Sequence, residues 1–337
     1  MTLEARVSGA GSRGIGVNVA GALRWGVIGT GRIAQTFARD VEHIDDGVLV
    51  AVGSRTRHGA ELFAENFGVP NPHASYESLV SDPQVDAVYV ATPHPMHFED
   101  AQLALRAGKP VLVEKAFTMT VGQAQDLVAS ARSRDLFMME AMWSRFLPHM
   151  VAVRNLVDSG ELGDIIVVVA DHGKWFEQDP TSRLFAPELG GSAMLDLGVY
   201  PVSFASMILG TPLDVIGRVT PAFTGVDATA SAVLSYESGA HAVITCTSGA
   251  RSATRASVVG TRARIEIEGD FYAPSSFQVI DRDGAARSFH FPVSGRGLQY
   301  EASHVAACLA QGLRESPIMP LDESVAIMRT MREIIGD

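Results

Sequence analysis

A short glycine-rich segment between a strand and a helix constrains the fold of this chain more than any other feature. The segment GTGRIA at residues 29–34 follows the apolar run 25–28 and precedes apolar residues at helical spacing. In that context the pattern G-x-G-x-x-G/A binds the pyrophosphate of a dinucleotide, since its glycines let the backbone approach the phosphates and the helix N-terminus favours an anion. An ordinary glycine-rich turn is the alternative. The residues predicted to contact the cofactor are Gly29, Thr30, Gly31, Arg32 and Ile33.

A second glycine-rich segment, at residues 9–16, lies upstream of the first. Only seven residues, 17–23, separate it from the next predicted strand. An average helix has about 11 residues, so this segment lacks the helix that a dinucleotide-binding loop must precede. We assign it no function and expect residues 1–23 to form a loose N-terminal extension.

The stretch from residue 24 to residue 142 alternates apolar runs with helical patterns. The apolar runs lie at 25–28, 48–52, 87–91, 111–113 and 137–139. Continuous apolar strands that alternate with helices indicate a parallel sheet covered on both faces. The sequence therefore predicts a doubly wound α/β domain of the Rossmann type over residues 24–142.

The pattern changes over residues 143–337, where apolar and polar residues alternate with a period of two. The clearest such run is 262–268, and ESG at 237–239 and DG at 283–284 are typical of hairpin turns. Helical patterns cover about 145–159, 192–209, 298–313 and 322–335. We predict a C-terminal α+β domain with a large, open, mostly antiparallel sheet and with helices on one face.

Composition and charge exclude several classes of function. The 337 residues include 27 Lys or Arg and 38 Asp or Glu, which gives a net charge of −11 and a pI near 5.4. Such an acidic chain has no electrostatic basis for binding nucleic acid or an anionic membrane. No apolar run approaches the ~18 residues that a transmembrane helix needs. The two cysteines, Cys246 and Cys308, are far apart and lack metal-site spacing, so we expect a cytoplasmic protein without a disulfide framework.

The end of the second predicted strand indicates which dinucleotide is bound. A site that prefers NAD places Asp or Glu about twenty residues after the glycines, where the carboxylate binds a ribose hydroxyl. This chain has Ser54, Arg55 and Arg57 in that region. Arginine matches a 2′-phosphate in charge and in fork geometry, so we predict NADP(H) as the preferred cofactor and NAD(H) as the second choice. Solvated surface arginines are the alternative interpretation.

Polar residues at the ends of later strands are further candidates, because ligands of doubly wound sheets bind there. A lysine at the end of a buried strand, such as Lys115, is costly unless it faces a site; a salt bridge is the alternative. The two histidines at 94 and 97 have no recognisable third metal ligand, so we predict no metal site. The residues assigned to the cofactor site are Thr92, Pro93, His94, His97, Glu114 and Lys115.

The helical segment GGSAMLDLGVYP at 190–201 contains two candidates for chemistry. Asp196 and Tyr200 are four residues apart and are predicted to share one helix face. An acidic side chain among Ala, Met, Leu and Val rarely serves packing alone. Tyrosine has a free pKa of about 10, and a nearby Lys115 ammonium would lower it by favouring the phenolate. We predict Lys115, Tyr200 and Asp196 as catalytic residues, with a hydrogen-bonded core tyrosine as the alternative.

The combination of motifs from residue 24 onward resembles the Gfo/Idh/MocA oxidoreductase family. The matching segments are RWGVIGTGRIA at 24–34, SRT at 54–56, ATPHPMH at 91–97, VEKA at 113–116 and GGSAMLDLGVYP at 190–201. EAMWSRFLP at 140–148 and the tyrosine at 200 resemble the branch of dimeric dihydrodiol dehydrogenases and D-xylose dehydrogenases. Many other branches carry a histidine at that position.

This resemblance implies NADP-dependent oxidation of an aldose or a cyclic vicinal diol, or reduction of the corresponding ketone. It implies Lys115 and Tyr200 as the acid–base pair, Asp196 as a site residue, and Trp143 and Arg145 at the edge of the active site. It also implies a homodimer through the open sheet face, so that residues 143–337 form a domain for substrate binding and dimerisation.

Two further expectations concern the neighbourhood of the site. His172 and Trp175 follow the predicted strand 165–170 and are expected to contact the substrate. The family's usual Glu-Lys-Pro motif has Ala116 at its third position here. In relatives the Lys–Pro bond is often cis, but a cis bond before a residue other than proline costs about 2.5–4 kcal/mol. We therefore predict a trans bond between Lys115 and Ala116.

Alternatives remain for the proton donor, for the type of enzyme and for whether the protein is an enzyme. In the working mechanism Tyr200 exchanges the substrate proton and Lys115 adjusts the pKa of Tyr200. An alternative mechanism makes Lys115 the proton donor. Another enzyme class within the family is a sugar ketoreductase, for example one that acts on nucleotide-linked deoxysugars. A non-catalytic NADP(H)-binding sensor is the third hypothesis, although a sensor would need neither Lys115 nor Asp196 nor Tyr200.

Overall fold

The computed structural model describes residues 21–336 of the chain. The glycine-rich segment at 9–16 and most of the predicted extension 1–23 therefore lie outside the described residues. Leu23 already belongs to the first strand. The prediction for the extension stays untested.

The first half of the chain forms a six-stranded parallel sheet with the strand order β3-β2-β1-β4-β5-β6. This order reverses direction beside β1, which is the arrangement that creates a ligand crevice at the carboxyl ends of the strands. The predicted doubly wound domain is confirmed. Its strands are β1 Leu23–Ile28, β2 Gly47–Gly53, β3 Asn71–His73, β4 Ala87–Val90, β5 Val111–Glu114 and β6 Met138–Ala141. Its helices are α1 Arg32–Val41, α2 Arg57–Phe67, α3 Tyr76–Val80, α4 His97–Arg106 and α5 Val121–Ser133.

The short edge strand β3 has no counterpart in the sequence analysis. It spans three residues around Pro72 and pairs only with β2. A strand of this length with a proline and no apolar run gives no periodic signal, because proline removes a backbone donor and is tolerated at sheet edges. The core that covers the central strands includes Trp25, Phe37 and Tyr89, whose rings are in contact and fully buried.

The second half forms an eight-stranded, mostly antiparallel sheet, which confirms the predicted α+β class. The strand order is β14-β13-β12-β11-β7-β10-β9-β8, and only β7 and β10 pair in parallel. Its strands are β7 Ile165–Gly173, β8 Asp214–Pro221, β9 Asp227–Ser235, β10 His241–Thr247, β11 Ala256–Gly260, β12 Ala263–Ile267, β13 Phe277–Asp281 and β14 Ala286–Phe289. Its helices are α6 Pro148–Asp158, α7 Val199–Leu209, α8 Leu298–Ala310 and α9 Leu321–Ile335.

One face of this large sheet is covered and the other is open. Helix α7 packs on β7 and β10, and α9 packs on β8 and β9. The strands alternate accordingly, so that β10 places Ala242, Ile244 and Cys246 in the core and its intervening residues in solvent. On the open face, Ile216, Val233, Val243 and Val169 are direct neighbours across four adjacent strands. These four side chains, which we call the apolar row, are 40–58% exposed.

The helical segment predicted at 192–209 is not a uniform α-helix. A π-helical turn, Met194–Gly198, precedes α7. The stretch Pro187–Leu209 that contains both is long and apolar enough to cross a membrane by composition, but 78% of its most apolar window is buried inside the protein. Packing in the core against β7 and β10 accounts for that apolar character.

The last two helices pack against both halves of the molecule. Helix α8 contacts α1 and α9 contacts α5, although both helices belong to the second half of the sequence. The buried Asp40 carboxylate at the end of α1 accepts hydrogen bonds from the backbone N–H groups of Arg296, Gly297 and Leu298. The C-terminal helices therefore connect the two halves of the molecule.

Candidate active site

The glycine-rich turn after β1 has the geometry of an anion site. Gly29 has a φ of +102°, and a Cβ there would lie 3.0 Å from the carbonyl oxygen of Ala91, so this turn requires glycine. Gly31 is the N-cap of α1, and a Cβ there would meet no atom within 4 Å. No side chain caps α1 and no acidic residue occupies its first turn. The first N–H groups of a ten-residue helix therefore face open space beside Thr30, which fits a pyrophosphate.

The arginines predicted to select NADP(H) lie close to this turn in the fold. Arg55 follows β2 and Arg32 begins α1; both are exposed, and within residues 21–336 neither forms an ion pair. Arg57, in the first turn of α2, pairs instead with Glu61 at 3.6 Å. Ser54 is buried, and its hydroxyl accepts a bond from the Thr56 N–H. Arg32 and Arg55 are thus the guanidinium groups available to a 2′-phosphate, beside the partly buried Ile33.

Lys115 extends from the end of β5 into the cleft between the two sheets. Its Nζ donates to the backbone carbonyl of Asp196 at 3.0 Å and lies 3.6 Å from the Asp196 Oδ1. The same nitrogen lies 4.8 Å from the centroid of the Tyr200 ring. The structure therefore brings together the three predicted catalytic residues, two of them from the π-helical turn and α7. Burial lowers the pKa of Lys115, but Tyr200, Asp196 and Glu114 outweigh burial and raise it, so the amine is an ammonium.

Asp196 is held as a carboxylate by two cations. Arg183, on the loop before α7, donates to Oδ1 at 2.9 Å, and Lys115 approaches the same oxygen. Burial acts to raise the pKa of Asp196, but these two cations hold it well below its usual range. An ionised carboxylate at this position can accept hydrogen bonds from substrate hydroxyls.

The hydroxyl of Tyr200 is buried and oriented by Trp143. The Trp143 Nε1–H donates to the Tyr200 oxygen at 3.0 Å, which leaves the tyrosine proton free for another acceptor. Burial raises the pKa of Tyr200 to about 12, while Lys115 and the Trp143 bond lower it. Lys115 acts to lower the pKa of Tyr200, as expected, but desolvation is the larger effect and the net shift is upward. Lys115 contacts the ring face and not the oxygen, which limits its electrostatic effect.

The two predicted histidines are buried and hydrogen-bonded to the backbone. His94 Nε2 lies 3.2 Å from the carbonyl oxygen of Lys115. His97 Nδ1 lies 2.9 Å from the carbonyl oxygen of Ala116, and its Nε2 lies 2.8 Å from that of Thr92. Burial lowers the pKa of His97 to about 4, so the ring is neutral and can donate to one of these carbonyls. Both histidines support the strand ends around Lys115, and their contact with a cofactor stays a prediction.

The remaining residues assigned to the cofactor site differ in their accessibility. The Glu114 carboxyl accepts a short hydrogen bond from the Tyr89 hydroxyl and another from the Lys115 N–H, and burial raises its pKa to about 7. Thr92 is buried and donates to Asp100 at 2.7 Å. Pro93 is exposed and follows β4. Glu114 and Thr92 are therefore committed to internal partners.

The peptide bond between Lys115 and Ala116 is cis, so the trans prediction is wrong. That prediction used the intrinsic preference of a free peptide bond. It did not include the surroundings of this bond, where His94 and His97 hydrogen-bond to the two carbonyl groups and Ala116 is completely buried.

His172 lies in an aromatic group beside Tyr200. Its ring stacks on Tyr272 at 4.5 Å between centroids and meets the Tyr200 ring edge-on at 5.4 Å. His172 Nδ1 bonds to the Leu197 carbonyl, while its buried Nε2 has no hydrogen-bond partner. Lys174 bonds to the Tyr272 hydroxyl. Burial lowers the pKa of His172 to about 4, so its neutral ring can exchange a hydrogen bond with a ligand hydroxyl.

Two predicted substrate residues are placed differently from this group. Trp175 is 66% exposed and forms an isolated bridge with Gly249 at the end of β7. The Arg145 guanidinium is buried and bonds to Ser203, Ile318 and Glu323, on the side of α7 and α9. The structure does not bring Arg145 to Lys115. The sequence could not indicate this, because its partners are more than 50 residues away along the chain.

Three residues around the site were not assigned a role from the sequence. Arg183 comes from an irregular loop without a periodic pattern, and Tyr272 follows β12 in a segment without strand signals. Glu140, at the end of β6, accepts the Phe117 N–H at 3.1 Å. Its position at the carboxyl end of a strand was a usable signal, because the other strand ends supply Lys115 and His94. Within residues 21–336 no group of three or more His, Cys, Asp or Glu side chains is placed to hold a metal ion.

Comparisons with known proteins agree with this architecture. Residues 23–142 match the model described as "Oxidoreductase family, NAD-binding Rossmann fold", and residues 150–266 match "GFO/IDH/MocA C-terminal domain". The chain is 38% identical to the trans-1,2-dihydrobenzene-1,2-diol dehydrogenase of Mus musculus over 94% of this chain and 97% of that protein. An aldose-aldose oxidoreductase of Caulobacter crescentus shares the fold at a TM-score of 0.85 and 24% identity, over 94% and 97% of the two chains. A 3-ketoreductase of Actinomadura kijaniata in complex with NADP reaches 0.81 and 27% over the same shares.

Proposed function

The chain belongs to the Gfo/Idh/MocA oxidoreductase family, as its motifs predicted, and from this membership we propose that it is an NADP(H)-dependent dehydrogenase of a sugar or a cyclic vicinal diol. One observation carries the proposal: Lys115 from the first domain meets Asp196 and Tyr200 from the second. A lysine, a carboxylate and a tyrosine at the strand ends of a dinucleotide-binding sheet are the groups needed to move a proton at a substrate oxygen.

The preference for NADP(H) rests on charge at the end of β2. Arg55 and Arg32 are exposed, and neither has an ion-pair partner within the described residues. No carboxylate takes the place where an NAD-preferring site holds one, since 54–57 reads SRTR. The open backbone at Gly31 would hold the pyrophosphate. When bound, the nicotinamide supplies the hydride chemistry.

Tyr200 carries the proton in this proposal. Because Trp143 donates to its oxygen, the Tyr200 O–H is directed to a different acceptor, which is the substrate oxygen. In the reductive direction Tyr200 donates its proton to the carbonyl oxygen, and in the oxidative direction its phenolate accepts the proton of the carbinol. Lys115 stabilises the phenolate through the ring face and contacts the substrate oxygen, and Asp196 orients the neighbouring hydroxyl. In the alternative mechanism Lys115 itself exchanges the proton.

A sugar ketoreductase is the second candidate, and the state of Tyr200 favours it. Burial raises the pKa of this residue to about 12, so at neutral pH the hydroxyl is protonated and ready to donate to a carbonyl. Similarity to the Actinomadura 3-ketoreductase points to the same class. Both candidates use one set of residues and differ in the substrate and in the direction that operates.

The test follows NADP⁺ reduction and NADPH oxidation by absorbance over aldoses, cyclic diols, inositols and their keto forms. Wild type and Lys115→Ala are compared, with NAD(H) as the second cofactor. Turnover that requires Lys115 supports the proposal, and the best substrate and direction choose between the two candidates. Tight NADPH binding without turnover of any substrate would favour a cofactor-binding sensor and contradict the proposal. Turnover with NAD(H) alone would contradict the role of the arginines.

We also propose that the protein is a homodimer through its open sheet face. The apolar row of Ile216, Val233, Val243 and Val169 crosses four adjacent strands and is at least 40% exposed at every position. A contiguous apolar surface of this kind on a sheet is typical of an interface. A two-fold axis would place the same row of each copy against the other.

A further inference from the structure

The backbone around Lys115 is held by the side chains of four residues. The Lys115 N–H donates to Glu114 Oε2 at 3.1 Å, and the Phe117 N–H donates to Glu140 Oε1 at 3.1 Å. His94 and His97 bond to the carbonyl groups of residues 115 and 116. The N–H groups of residues 115 and 117 and the carbonyl groups of residues 115 and 116 are therefore bonded to side chains.

We propose that Glu140 is a positioning residue that holds the Lys115 ammonium between Asp196 and Tyr200. Its carboxyl anchors the backbone two residues after Lys115, beyond the end of β5 and of its pairing with β6. This inference rests on the proposed function, because it concerns the placement of the lysine in that site. Glu140 touches no reacting group and acts through Lys115 alone.

The environment of Glu140 shows that the carboxyl is kept at a cost. The side chain is completely buried, and burial raises its pKa to about 7, although Ser324 and then the Arg145 charge act against this shift. A neutral acceptor could satisfy one N–H group without such a penalty. The part of the side chain that matters for this inference is the oxygen Oε1, which accepts the Phe117 N–H.

The experiment compares substitutions that change either the length of the side chain, here called its reach, or its charge. Glu140→Asp keeps the charge but withdraws the oxygen by one methylene, and Glu140→Gln keeps an oxygen at the same reach without the charge. Glu301→Asp is the matched control, because Glu301 is equally buried and neither of its oxygens has a hydrogen-bond partner. Displacement of a reacting group by about 1 Å can cost about 100-fold in rate. We expect kcat of Glu140→Asp to fall by about 10- to 100-fold at an almost unchanged KM, whereas Glu140→Gln and Glu301→Asp stay within about threefold.

A second readout requires no turnover. The sequence contains three lysines, Lys109, Lys115 and Lys174, so [ε-¹³C]lysine labelling gives a spectrum with three resolvable sites. We expect Glu140→Asp to shift the Lys115 signal, which Lys115→Arg identifies, while Glu140→Gln leaves it in place. The NADPH dissociation constant, measured by fluorescence, is expected to change less than twofold in all variants.

The outcomes separate this inference from the proposed function. If wild type turns over no substrate, the proposed function fails, and the lysine spectra still decide whether Glu140 positions Lys115. If Glu140→Gln loses as much activity or shifts the Lys115 signal as much as Glu140→Asp, charge and not reach matters, and the inference is overturned. An unchanged Lys115 signal in Glu140→Asp overturns it as well. Should Glu140→Asp fail to fold, Glu140→Gln alone decides, because the inference requires it to be close to wild type in both readouts.

Discussion

Replacing Glu301 by glutamine is expected to stabilise the protein in a way that grows with pH. Glu301 lies in α8, is completely buried, and neither carboxyl oxygen has a hydrogen-bond partner. Burial raises its pKa well above the usual range, and the carboxyl groups of Glu114 and Asp40 raise it further. The carboxyl is therefore protonated in the folded protein under conditions where it is ionised in the unfolded chain.

The size of the effect follows from proton linkage. An acid whose pKa is raised by folding binds more protons in the folded state, so its contribution to stability is lost as pH rises above the unfolded value of about 4.3. The loss is about 1.4 kcal/mol per pH unit until the folded carboxyl also ionises. An amide has no such dependence. The free energy of unfolding of Glu301→Gln should therefore exceed that of wild type by an amount that increases at about this slope above pH 5.

The assay is urea unfolding of both proteins at pH 5, 6 and 7 at constant ionic strength. Glu237→Gln, in the exposed turn between β9 and β10, reports the effect of the same substitution outside the core. A difference between Glu301→Gln and wild type that is constant or shrinks with rising pH would refute the reasoning. It would mean that the carboxyl is ionised in the folded protein and has a partner that stabilises the charge.

Three further predictions concern the cofactor, the proton and the interface. Tyr200→Phe should lower the rate of substrate oxidation by about 10²–10⁴-fold. Wild-type oxidation should rise with pH between 7 and 10, because burial raises the Tyr200 pKa to about 12. Near-normal turnover in the variant, or a wild-type rate that is flat above pH 7, would contradict this. Arg55→Ala should weaken NADPH binding by about 10- to 100-fold, from the loss of one charge-assisted bond to phosphate, and leave NADH binding unchanged; equal weakening of both in titrations would refute the role of Arg55. Val233→Lys places a charge in the centre of the apolar row and should give a monomer in light scattering, whereas a dimer that persists would exclude this face as the interface.

Much of the fold could be predicted because its signals are local in the sequence. The segment at 29–34 contains in six residues the turn, the open backbone and the helix start of the dinucleotide site. Period-two alternation at 262–268 likewise predicted β12, because successive side chains of a strand point to opposite faces of the sheet and only one face is buried. The short β3 and the π-helical turn at Met194–Gly198 gave no such signal.

The candidate site was predictable where a charged residue occupies a position at which burial has a high energetic cost. A lysine after a buried strand and an acid in an apolar helix identified Lys115 and Asp196, and the structure places them 3.6 Å apart. The partners of Arg145 could not be inferred, because Ser203 and Glu323 are distant in sequence and any exposed or buried acceptor would have suited the guanidinium. The net pKa shift of Tyr200 could not be predicted, because a sequence shows a neighbouring charge but not how much water is removed.

The hydrogen bonds between the Asp40 carboxylate and the backbone of residues 296–298 also have a consequence for biosynthesis. The carboxylate is produced early, whereas the three N–H groups that it binds are made about 257 residues later. A nascent chain that has left the ribosome only as far as β6 still exposes the surface of α1 that α8 covers. The first half of the chain therefore completes this contact only after residues 296–310 have been made.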